Sequence, residues 1–255
     1  MINNEWEFLI RGNPSALWSI SQLCRSCYFY IYEEIGHFDY STDDFRMKTV
    51  FCNNETDYEI TWQIGYELVG LFNGAACLCD SSFQKIEIES LLYKGHKEKW
   101  CCNKELIGLL GEPSCLTQEK IKSELNISTY SDIRFWLISM ATKHIDIYYI
   151  LKYFNMNPNW DTYYKLMETL ESFEPKFKIN KDERTSFTNT ANNFSLSKFD
   201  SRHGFKNVAK ENKSSKMSLD DAHIFIRKIT KDYIALKHGV KKQPTAVVND
   251  SWWDD

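Results

Sequence analysis

No run of about 18 apolar residues occurs in the chain, so no segment is expected to cross a bilayer as a helix. The most apolar stretch, FWLISMATKHIDIYYILKYF, is interrupted by Lys143, His144, Asp146 and Lys152. The opening MINNEWEFLIRGNPS lacks a basic start, a long apolar core and a small-residue cleavage site, so no secretory leader is expected either. A cytoplasmic protein is expected, with its eight cysteines reduced. The segment LVGLFNG lacks the Gly-Lys-Ser/Thr ending of a phosphate-binding loop, and neither GxGxxG nor GxSxG occurs. A paired His and carboxylate motif of the metallohydrolase kind is also missing. No cofactor is expected. Low-complexity sequence is absent too: hydrophobic residues make up 43% and aromatics 15% of 255 residues, enough for a substantial core.

The formal net charge of -4 conceals an asymmetry. Between Lys176 and Lys242 sixteen Lys or Arg face seven Asp or Glu, a local balance of +9 that leaves -13 on the remainder. A basic C-terminal third suits nucleic acid or an acidic partner, and a solvated helical surface is the plainer reading of the same charge.

Strands are expected at EWEFLI, CYFYIY and FRMKTVF from their aromatic and β-branched content, and at FQKIEIESLLY from its alternation. Between them ETDYEITWQIGYELVGLFNG reads as a helix, with Asn73-Gly74 as its stop. After Gly111-Glu112-Pro113 the clear periodicity is helical. A short helix QEKIKSEL behind Thr117 and a long one from about Ser131 to Tyr153 are expected. Asn157-Pro158 then starts a helix with Trp160, Tyr163, Met167 and Leu170 on one stripe. Ser218 and Asp221 resemble a capping box before a final helix with Ala222, Phe225, Ile229, Tyr233 and Leu236 inward. These elements predict an α+β domain over residues 1–112, an all-α helical bundle over 113–238 and a flexible tail over 239–255.

Cys24 and Cys27 form a CxxC, Cys77 and Cys79 a CxC, and Cys101 and Cys102 are adjacent. Knuckle glycines are missing, and GAACLC is an apolar run. Small buried hydrophobes are therefore expected rather than a metal site. The tail NDSWWDD carries Trp252 and Trp253, either as a docking peptide for a partner or as a cover for the chain's own surface.

The segments WDTYYKLMETLES, FTNTANN, DSRHGFKN and KMSLDDAHIFIRKITKDYI, in that order, resemble a helical module of bacterial proteins that belongs to the HEPN (higher eukaryotes and prokaryotes nucleotide-binding) class. The resemblance covers residues 130–238, and a W…strand…LFNGAA layout often precedes such a module. It implies a HEPN-like C-terminal domain of a kind that recurs in antiviral defence and toxin systems. Active members are metal-independent endoribonucleases, in which a spaced arginine and histidine converge on the scissile phosphate.

Arg202 and His203 are the residues here that could take those roles. Arginine can hold a phosphate bidentately, and histidine can move the 2′-hydroxyl proton near neutral pH. The pair is adjacent, however, and no histidine falls four to six residues after Arg202, Arg184, Arg227 or Arg134. On a helix, neighbours point about 100° apart, whereas in a loop they can converge. The alternative is that Arg202 ties a loop to helix carbonyls and His203 packs by Asn192. Asn189, Asn192, Lys206 and Lys210 flank the pair as a polar, phosphate-facing mouth, or as ordinary loop and surface residues. The leading expectation is an accessory component of a bacterial defence or stress-response complex, working through a protein partner and nucleic-acid contacts. The other expectation is a metal-independent endoribonuclease that uses Arg202 and His203.

Overall fold

Large apolar residues at every second position of WEFLIR, FYIYE and FRMKT give each segment one buried face, which is the condition for half-buried antiparallel strands. A computed structural model of the chain describes residues 2–23, 26–34, 44–102, 108, 113, 115–125, 132–205 and 215–239. The strands are β1 (Trp6–Arg11), β2 (Phe29–Glu33), β3 (Phe45–Thr49), β4 (Glu87–Tyr93) and β5 (His96–Lys97). They form one antiparallel sheet in the order β2-β3-β1-β4-β5, with a bulge where Leu9 pairs Ser90 and Ile10 pairs Ile88. Trp6, Phe8, Ile10, Phe29, Ile31, Phe45, Met47 and Leu91 are buried. On the polar face Glu7 accepts from the Tyr32 hydroxyl (2.7 Å), Arg46 (2.9 Å) and Lys48 (2.9 Å). Burial raises the Glu7 pKa, but these donors outweigh burial and hold it below the usual carboxylate range.

The helices are α1 (Pro14–Leu23), α2 (Tyr58–Cys79), α3 (Gln118–Leu125), α4 (Ile133–Ala141), α5 (Ile145–Asn155), α6 (Trp160–Phe173), α7 (Lys181–Asn192), α8 (Phe194–Ser197) and α9 (Leu219–His238). The Asp57 carboxylate caps α2 at the Glu59 N–H (2.8 Å). Asn73-Gly74 does not stop that helix. The Asn73 side chain accepts from Ile86 N–H and donates to the Ile86 carbonyl, both at 2.9 Å, and Gly74 provides room for the backbone of α5. Gly65, about two and a half turns earlier and so on the opposite face, lies against Phe8 and Ile88 of the sheet. Between these contacts Glu67 is buried, accepting from the Tyr148 hydroxyl (2.5 Å) and from Lys152 (2.9 Å). Burial and this carboxylate push the Tyr148 phenol well above its ordinary range.

The chain divides into two compact units, Met1–Asn155 and Met156–Asp255. The expected plan, an α+β domain followed by an all-α bundle from residue 113, is therefore corrected. Helices α3, α4 and α5 belong to the unit that holds the sheet. The cause is α2, which is apolar nearly all round and cannot be covered by one sheet face. α4 and α5 cover the rest, and Phe135 of α4 stacks on Phe29 of β2 at 4.7 Å. The single long helix expected to Tyr153 is two helices, separated at Thr142–His144.

In the second unit every described element is helical. The N-cap of α6 is Asn159, which accepts from the Thr162 N–H at 2.8 Å, two residues beyond the expected start. Ser218 caps α9 through the Asp221 N–H (2.9 Å), and Gly239 ends it in the left-handed conformation. Leu236, expected to face inward, is 60% exposed. Among the described residues no helix is long and apolar enough to cross a membrane.

Candidate functional site

The surface around Arg202 is built by α6, α7 and the chain that follows α7. Asn180 caps α7 by accepting from the N–H groups of Asp182 (2.9 Å) and Glu183 (3.1 Å). Its inward side places Phe187 against Trp160, Tyr164 and Phe225, at ring separations of 5.8, 6.4 and 5.3 Å. Beyond Asn193 the chain turns through α8 and a 3-10 turn at Lys198–Asp200. The turn is pinned by Ser197, a buried residue whose hydroxyl donates to the Thr190 carbonyl at 2.8 Å. Lys198 has φ 54° and ψ -128°, a backbone conformation that residues other than glycine rarely adopt.

Arg202 joins this turn to the helices. Its backbone N–H donates to the Ala191 carbonyl at 2.8 Å. Its guanidinium carbon lies 4.0 Å from the Tyr164 ring centre, and the nearest guanidinium nitrogen is 3.9 Å from Glu168 Oε2. Stacking on the ring is worth about 0.5–1 kcal/mol at a partly exposed site, and the long, exposed ion pair adds little. His203 is exposed, and its backbone N–H donates to Ser201 Oγ at 3.3 Å. Arg202 thus packs on α6 while the next side chain faces water. Asn189 and Asn192 lie in the last turn of α7, both half-buried, and the Asn192 Oδ1 is buried with no hydrogen bond among the described residues. Lys206, Lys210, Trp252 and Trp253 lie outside the described residues.

Four residues at this site carry no motif. Tyr164 and Glu168 flank the apolar stripe of α6, one turn apart. Phe199 and Phe205 are 96% and 69% exposed. Both pack near-perpendicular to Phe194, at 5.8 and 5.5 Å. The signal for Phe199 and Phe205 is the interleaving of aromatic and basic residues in KFDSRHGFK.

His223 on α9 is a perturbed group of this unit, and its Nδ1 is 2.5 Å from the Tyr163 hydroxyl. Burial, and then the positive charge of Arg227, hold its pKa below the ordinary 6.5, with Asp220 opposing them. A neutral imidazole accepting from the tyrosine fits that direction. Above about pH 6.5 the folded and unfolded imidazoles are both neutral; below it the unfolded one protonates first. Native stability should therefore fall as pH drops below about 6.5, until the folded imidazole also protonates. His223→Gln should lose less stability over the same window, as measured by urea midpoints at pH 7.5 and 5.5. Parallel curves for the two proteins would remove His223 as the cause.

Cys52 is buried, with its thiol pushed far above the ordinary range by desolvation and then by Glu55. Cys77 and Cys79 are half-buried on α2 and Cys101 is buried, while Cys24 lies outside the described residues. Among the described residues no cysteine belongs to a group of three side chains close enough to hold a metal ion. No family model matches the chain, and no curated protein or solved structure does so.

Proposed function

We propose that this protein is a non-catalytic accessory component of a bacterial antiviral-defence or stress-response complex, which works in the cytoplasm by binding rather than by turnover. The HEPN-like resemblance of residues 130–238 supplies the setting. The observation that carries the reading is the position of Arg202. Its guanidinium lies over Tyr164 and beside Glu168, and its backbone N–H is taken by Ala191. A cleaving phosphate clamp needs a guanidinium fork with a proton-transfer group within hydrogen-bond reach of the same atom, whereas here the guanidinium packs on the face of Tyr164 in α6 and the adjacent His203 is exposed to water. Here the arginine acts as a strut for the loop, and the exposed loop beside it is suited to contact.

The test is incubation of the purified protein with total and transfer RNA in excess EDTA, wild type beside His203→Ala, with products resolved on a gel. No cleavage by either protein is expected. Chelator-resistant cleavage that disappears in His203→Ala would overturn the accessory reading and make Arg202 and His203 the working pair of an endoribonuclease.

A further inference from the structure

We infer that Phe199 and Phe205 form a stacking platform for single-stranded nucleic acid. The inference rests on the reading of the chain as a binding component and names what its loop binds. Three observations point the same way. First, the two rings are exposed, and Phe194 supports both by near-perpendicular contacts. An aromatic side chain that is 96% exposed buries almost none of its surface in its own fold, and a flat, supported ring is what an unpaired base stacks on. Second, Arg202 and His203 stand between the rings in the chain, and Lys198 precedes them. Arg202 packs over Tyr164, which holds its charge on the same short loop as the two rings. Third, the chain from Lys198 to Lys216 carries six Lys or Arg against two Asp or Glu. That balance complements a phosphate backbone and opposes a basic protein surface.

Duplexes hide the faces of their bases, so a platform of this kind selects unpaired strands and leaves the base identity open. Stacking and phosphate attraction do not separate RNA from DNA, and the shared chemistry is a polyanionic single strand with exposed bases. Affinity should fall steeply as salt rises, because the phosphates release counterions on binding.

The test is fluorescence anisotropy of the full-length protein with labelled single-stranded RNA, single-stranded DNA of the same sequence, and the corresponding duplex. The expected result is binding of single strands in preference to duplex. Phe199→Ala and Phe205→Ala should each weaken it about tenfold, with Phe199→Trp retaining it. Comparison of the RNA and DNA arms shows whether the platform prefers one sugar or binds both strands alike. Both positions are exposed, so the variants should keep the wild-type circular dichroism. Failure of the wild type to bind any single strand would overturn the inference. So would binding that both alanine variants retain in full, which would assign the rings to a protein contact instead. The two proposals fail separately. Cleavage abolished by His203→Ala sinks the accessory reading alone, whereas loss-free phenylalanine variants sink the platform alone.

Discussion

Replacing Gly74 with alanine should destabilise the first unit by about 3 kcal/mol or more, and replacing it with valine should prevent folding. A Cβ at position 74 would lie 2.0 Å from the Leu151 carbonyl oxygen and 2.7 Å from its carbon. Both obstructing atoms are backbone, so no rotamer change relieves the overlap. Either α5 moves away from α2 or the helix bends, and both responses open a dry, close-packed contact. The consequence extends to Glu67, which is satisfied only while α5 presents Tyr148 and Lys152 to it. A half-separated pair of helices would leave that carboxylate buried with its donors withdrawn, a further cost of about 1–3 kcal/mol. Gly204→Ala is the control: its Cβ would meet nothing within 4 Å and its φ is not in the left-handed range. That change should stay within about 0.5 kcal/mol. Urea unfolding followed by tryptophan fluorescence measures both. A Gly74→Ala midpoint equal to that of Gly204→Ala would mean that the two helices do not approach as closely as described.

The same glycine illustrates why part of the fold was legible in the sequence and part was not. Strands β1 and β2 could be read from their aromatic and β-branched content and β3 and β4 from alternation, signals that are local to each segment. Helix α2 was legible as a helix, but Asn73-Gly74 has the chemistry of a C-terminal stop, and the sequence around it contains no sign of Leu151. A close backbone crossing and a helix end select the same residue for different reasons. Assigning α4 and α5 to the sheet failed for a related reason. Periodicity reports that a helix has an inner face, not which body that face meets. At the candidate site Arg202 and His203 could be singled out by type, because few residues serve phosphate chemistry. The position of Arg202 depends on Tyr164, Glu168 and the Ala191 carbonyl, which are thirty-eight, thirty-four and eleven residues earlier in the chain. Contacts at that separation leave no periodic trace.

Phe187→Ala should be the most damaging single truncation in the second unit, at about 3–5 kcal/mol. The ring is fully buried and lies where α6, α7 and α9 meet, against Trp160, Tyr164 and Phe225. Its removal leaves a cavity bordered by three aromatic rings, which cannot collapse without changing their mutual angles. Each lost aromatic pair adds about 0.5–1.5 kcal/mol to the transfer term. The effect should also reach the loop. Tyr164 stacks on Phe187 with one part of its ring environment and supports Arg202 with another. Ala191, which accepts the Arg202 N–H, follows Phe187 by one turn of the same helix. Hydrogen exchange over Ser201–Phe205 should therefore accelerate in Phe187→Ala even under conditions where the unit stays folded. Phe199→Ala supplies the contrast: it removes the same atoms from a 96% exposed position and should change stability by less than about 0.5 kcal/mol. Accelerated exchange confined to α6, α7 and α9, with the loop unchanged, would mean that Arg202 is held by the Ala191 carbonyl and its own turn rather than by the Tyr164 stack. In that case Tyr164→Leu should also leave the loop unchanged. If the loop does loosen, the aromatic core and the contact surface are one mechanical unit, and substitutions at Phe187 should weaken binding at Phe199 and Phe205 without touching either ring.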